Sequence, residues 1–211
     1  MTGEVSLSLV RVEIVQELDA GDDTLEIPWA SPVQPELRYL DLKAHPEEID
    51  LLEECRKYPP LADFLRRVNS ATSPFRSAKC DVWTTTGLAE DEQVDFKLPV
   101  KVGGYVDLLF DRPDLNSKLE PHLQLGAKLS EILDRLRVQA QMEICVRRCL
   151  FHPEGRWGYY VAVFTHAYGA TPREAEEEWN RAMDALGNAL AGIHYSLYGL
   201  PADLSKKGSF P

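Results

Sequence analysis

The sequence predicts an α+β two-layer sandwich, an antiparallel sheet of about five strands with long helices packed on one face. Three observations lead there. Several runs of strand length alternate apolar with polar residues, two long stretches carry apolar residues at helical spacing, and the order hairpin then helix occurs twice.

From Glu4 to Val15 the residues Val5, Leu7, Leu9, Val12 and Ile14 alternate with Ser6, Ser8, Arg11 and Glu13, the pattern of a half-buried strand. Asp19 to Asp23 and Pro32 to Pro35 read as loop, with short strands around Leu25 to Trp29 and Leu37 to Leu42. Residues 1–45 are therefore expected to form an N-terminal β/loop segment packed on a main α+β domain, 46–211. That domain opens with a helix at His45-Pro46. Glu47 and Glu48 in its first turn and Arg56 and Lys57 in its last complement the helix dipole. Pro59-Pro60 is expected to break it, before a second short apolar face of Leu61, Phe64, Leu65 and Val68.

Ala78 to Thr86 alternates as a strand. Val94, Phe96, Leu98, Val100 and Val102 form the next, placed at a sheet edge because Pro99 cannot donate to a ladder. Gly103-Gly104 then predicts a tight hairpin into Tyr105 to Asp111, since primed turns require positive φ. A helix from Pro121 to Val138 carries Leu125, Leu129, Ile132, Leu133 and Leu136. Gln141 to Phe151 and Trp157 to Ala167 form a second hairpin across His152-Pro153-Glu154-Gly155. Thr171-Pro172-Arg173-Glu174 is a capping box for the last helix, whose inner face is Ala175, Trp179, Ala182, Leu186 and Leu190 and whose end is Gly192.

A closing strand from Ile193 to Leu197, with Tyr105 to Asp111 as the other outer member, would give the ferredoxin-like order βαββαβ. Without it, the order from Pro46 onward resembles that of type III secretion chaperones, which are also acidic. Asp111-Arg-Pro-Asp-Leu-Asn116, between a strand and a helix, looks like the DRPG-type start of an ACT small-ligand domain, with Asp114 in place of that family's glycine.

Composition bounds the partners. Lys and Arg number 23 against 34 Asp and Glu, a net charge of −11, which argues against nucleic acid and against anionic lipid, both held by clustered cations. No apolar run reaches the ~20 residues of a membrane span, and the start lacks the basic and apolar regions of a signal peptide. A cytoplasmic location is expected, with Cys55, Cys80, Cys145 and Cys149 as free thiols.

Candidate sites are few. Cys145, Cys149 and His152 offer metal ligands, but on a strand the two thiols stand about 13 Å apart, so no metal is assigned. Asp107 and Asp111 face the same way at the same spacing, too far for a shared proton. His166 and Tyr168, just before the capped helix, suggest an anion-binding corner. Arg147, Arg156 and Trp157, with Arg148, Tyr159 and Tyr160, gather cations and aromatics around the second hairpin. No nucleotide-binding or hydrolase motif is present and no cofactor is implied. The expectation is thus a non-catalytic protein acting through protein–protein interaction or as a homodimer, by a sheet edge or the helix Pro121 to Val138. The alternative is a small-ligand domain or enzyme with a pocket near His166 and Asp107.

Overall fold

A computed structural model describes residues 11–88, 97–135 and 138–193. The architecture is a six-stranded, mostly antiparallel sheet with helices over one face. Its strands are β1 (Arg11–Glu17), β2 (Leu25–Ile27), β3 (Phe75–Thr86), β4 (Val100–Phe110), β5 (Ala140–Phe151) and β6 (Arg156–Gly169). The order across the sheet is β1-β5-β6-β4-β3, and β2 pairs with β5 beyond the end of β1. Both β1 and β2 run parallel to β5, while the other pairs are antiparallel. The sheet is therefore mixed rather than wholly antiparallel.

The helices are α1 (Glu53–Lys57), α2 (Pro59–Val68), α3 (Pro113–Asn116), α4 (Leu119–Leu133) and α5 (Pro172–Gly192), with a 3-10 turn over Pro46–Leu51. Leu52 is extended, so the helix expected from Pro46 to Lys57 is two short pieces. Pro59 and Pro60 start α2 instead of only ending its predecessor, as suits residues whose missing N–H falls among the unpaired donors of a first turn. The capping box forms: Glu174 N–H donates to Thr171 Oγ1 at 3.2 Å, and the Glu174 carboxylate reaches back to Ala170 N–H at 2.9 Å. Its helix buries Ala175, Trp179, Ala182, Leu186 and Leu190, the expected face.

The Gly103-Gly104 turn is absent. Both glycines lie inside the continuous strand β4, which occupies an interior position between β3 and β6. Tryptophans account for them: a Cβ at Gly103 would stand 2.8 Å from Trp83 Cε2, and one at Gly104 would stand 2.8 Å from Asp81 O and 3.2 Å from Trp179 Cζ2. Tyr105 to Asp111 is accordingly no outer strand. Val94 to Phe96 and the expected strand from Ile193 onward lie largely outside the described residues, as does the start of the strand expected from Glu4.

The main core joins the helices to one sheet face, through Val106, Ile144 and Val163 from the strands and Phe64, Leu129, Trp179 and Leu186 from the helices. A smaller apolar cluster on the back face contains Ala78, Leu109, Cys145, Cys149, Tyr160 and Ala162 with Ile27 from the end of β2, and Tyr39 from the segment between β2 and α1 packs against it. This strap crosses the back of the sheet toward β3, where Lys43 Nζ donates to Ser73 O at 2.6 Å and Phe75 O at 3.1 Å. None of the described helices is long and apolar enough to cross a membrane.

Candidate functional site

The strand β3 is one edge of the sheet, and its outer backbone groups divide into a covered half and an open half. Ser77 N–H donates to Asn69 Oδ1 at 3.0 Å, Phe75 O accepts from Lys43, and Ala78 O accepts from Trp29 Nε1 at 2.7 Å. Ala78 is the extra residue of a bulge between Ser77 and Lys79, a common device for closing off an edge. Val82 N–H, turned away from β4, is taken by the Asp81 carboxylate at 2.7 Å. By the two-residue repeat of an antiparallel ladder, the groups of Cys80 and Thr84 point the same way as Val82. Among the described residues, no hydrogen bond reaches these backbone groups, although the Thr84 hydroxyl lies 2.8 Å from Tyr58 OH.

Beside this edge lies a cleft of about 940 Å³ between the strap, the turn at Leu51 to Arg56 and β3 from Ser77 to Asp81. Two of its lining residues are large apolar side chains left in water, Leu37 at 47% and Leu51 at 67% exposure. Its inner wall is Trp29 and Tyr105, which hold Lys79 Nζ between them at 5.3 and 5.9 Å from their ring centroids.

Behind that wall runs a row of polar side chains. The register places Lys79 opposite Asp107, Asp107 opposite Ala162, and Ala162 opposite Cys145, while Tyr160 stands opposite Arg147 and Arg147 opposite Glu17. Asp107 is 4% exposed, and no hydrogen bond reaches it among the described residues. Burial pushes its pKa up to about 7 against the opposing pull of Lys79 and Arg147. Partial burial likewise opposes ionisation of Asp111, but hydrogen bonds from Arg76 and Lys43 together outweigh it and hold that carboxyl below its usual range. The two acids thus differ in charge preference as an acid–base pair would. Their strand spacing of about 13 Å keeps them from acting on one substrate bond.

The Cys145 thiol donates to Glu143 Oε1 at 2.9 Å, and with Glu17 these three residues bring their ligand atoms within 4.8 Å of one another. Arg147 Nε, 2.7 Å from Glu17 Oε2, already supplies a positive charge there, and burial keeps the thiol protonated.

The structure separates the residues grouped by sequence. His166 pairs with Gly103 and packs edge-on against Trp83 at 6.3 Å, and Tyr168 is buried opposite Lys101. Both share the back-face parity of Asp107, but the Tyr105–Phe164 pair stands between His166 and Asp107, and none of His166, Tyr168 and Asp107 lines the cleft. The basic hairpin divides between faces. Arg147 and Arg156 alternate onto the back, where Arg156 donates to Pro113 O at 3.1 Å, while Arg148 and Trp157 alternate onto the helix side, 5.6 Å apart. Trp29, Leu51 and Lys79 escaped sequence reasoning, because nothing local marks them; the one usable signal was the unusually polar alternation of Lys79, Asp81 and Trp83 in a strand.

The chain matches no protein-family model, no curated protein and no solved structure.

Proposed function

We propose that the chain is a non-catalytic binding protein that takes an extended segment of a partner protein along the open half of β3. The observation that carries this reading is the conjunction of outward backbone groups at Cys80 and Thr84, which no hydrogen bond reaches among the described residues, with a cleft beside Ser77 to Asp81 that presents Leu37 and Leu51. Strand addition draws affinity from main-chain hydrogen bonds and specificity from pockets for alternate side chains, and both elements are present here. The division of β3 argues the same way, since distant side chains cap the backbone edge at Phe75 to Ala78, while beyond it only Val82 N–H is taken, by the neighbouring Asp81. Four thiols free of disulfides support a cytoplasmic setting for this activity.

The test uses decapeptides selected on the intact protein from a random display library, titrated calorimetrically against wild type and Thr84→Pro. Proline removes the outward N–H and is tolerated on an edge. Affinity is expected to fall at least about tenfold, the worth of one or two lost hydrogen bonds. Equal binding by the proline variant, or selection of no peptide, removes the reading.

A further inference from the structure

We propose that a second copy of this chain docks on the outer edge of β1, antiparallel to it, with a two-fold axis at Ile14. The site is at the opposite side of the sheet from β3, so it stands apart from the peptide reading above. On its inner side β1 pairs with β5 from Arg11↔Gln141 to Glu17↔Arg147, and no described strand lies on its outer side. Ile14 belongs to the helix-covered parity yet is 44% exposed. Helix α4 sets Gly126 near it, where a Cβ would stand 3.8 Å from Ile14 Cγ2, so no side chain from that position covers Ile14.

Charge order selects the occupant and its register. A two-fold axis normal to the sheet keeps the helix layers of both copies on one side, and it pairs only residues of the same face. Centred on Ile14, it sets Arg11 of each copy opposite Glu17 of the other, Val12 opposite Gln16, Glu13 opposite Val15, and Ile14 opposite itself. The register two residues to one side sets Glu13 opposite Glu13. The register two residues to the other sets Glu13 opposite Glu17, twice. Like charges directly opposite destabilise an antiparallel pair and opposite charges stabilise it, so the seven residues of β1 complement themselves in one register. Both charges are reachable: the Arg11 side chain is 62% exposed and pairs with Glu13 of its own strand through Nη2 at 2.8 Å, and Glu17 at 30% engages Arg147 through one oxygen, Oε2.

The experiment is light scattering behind size exclusion, with sedimentation equilibrium, on the full chain. Wild type is expected to approach twice 23.8 kDa as concentration rises. Arg11→Glu alone and Glu17→Arg alone each place like charges opposite one another at two positions and are expected to weaken the dimer at least about tenfold. An equimolar mixture of the two variants restores both pairs, and is expected to dimerise within a few-fold of wild type. Because Glu17→Arg also deprives Arg147 of its partner, melting curves check each variant, and Ile14→Lys replaces it if it fails to fold. A wild type that stays at 23.8 kDa at the highest attainable concentration overturns the proposal. So do single variants that dimerise as tightly as wild type, or a mixture that does not recover.

Discussion

Trp83 occupies the space that a side chain at residue 103 would need: a Cβ on Gly103 would lie 2.8 to 2.9 Å from three atoms of its indole. One position on, the obstacle at Gly104 is the backbone oxygen of Asp81 at 2.8 Å, together with Trp179. Gly103→Ala and Gly104→Ala are each expected to cost about 1–3 kcal/mol in urea unfolding, with Gly104 the larger because backbone yields less than an indole. Shortening Trp83 to leucine should recover part of the Gly103→Ala loss and none of the other. Equal losses at residue 103 with and without the indole would show the contact to be irrelevant.

Two buried groups make stability respond to pH in opposite senses. Asp107, raised by burial to about 7, holds a proton in the native state that the unfolded chain has already released, so its contribution is lost as pH rises from about 4 to about 7. His122, lowered by burial to about 4, stays neutral in the native state while the unfolded chain gains a proton, so its contribution is lost as pH falls from about 6.5 to about 4. The wild-type profile is therefore flattened. Asp107→Asn should turn it into a decline toward acid and His122→Leu into a decline toward neutral pH, each amounting to a few kcal/mol at ~1.4 kcal/mol per tenfold change in proton affinity. Parallel profiles for the three proteins across pH 4 to 7 would refute the assignment.

All four thiols resist ionisation. Burial pushes Cys55 and Cys149 up to about 12, and it raises Cys80 and Cys145 as well. Since the thiolate is the nucleophile, iodoacetamide near neutral pH should leave the native protein almost unlabelled and add four groups once urea unfolds it. Rapid native labelling of Cys145 in the intact mass would contradict the buried arrangement.

Lys43 pins the strap. Its Nζ meets Ser73 O, Phe75 O and Asp111 Oδ2, the last at 3.1 Å, with only 10% of the side chain exposed. Lys43→Met should destabilise the fold by about 2–4 kcal/mol, because it strands acceptors and leaves Asp111 to Arg76 alone. It should also open the strap to limited proteolysis between residues 28 and 43. Unchanged cleavage would mean that Trp29 and the back-face cluster hold the strap without it.

What sequence reasoning captured is what depends on neighbours in the chain. The hairpin across His152 to Gly155, the capping box at Thr171 and the buried stripe Leu125, Leu129 and Leu133 of α4 each follow from residues within a few positions of one another, and each stands; the helix ends at Leu133, short of the expected Val138, and Leu136 lies outside the described residues. What it missed depends on distant partners. A glycine pair reads as a turn until two tryptophans from other elements are seen to fill the space above it. The parallel pairing of β1 with β5 leaves no local trace, and neither does the strap that brings Trp29 to Lys79. The candidate cleft was therefore illegible, although a sheet edge as the place of binding was among the expectations.

The pairing of Arg11 with Gln141 also sets a schedule for the nascent chain. Roughly 130 residues separate the strands, so at ~5–20 residues per second β1 leaves the ribosome on the order of ten seconds before its partner has been made. Through that interval the earliest described strand has only itself to pair with, and neighbouring ribosomes on one message carry it in many copies. Synthesis rate and polysome density set how long β1 waits among other copies before its own β5 is made.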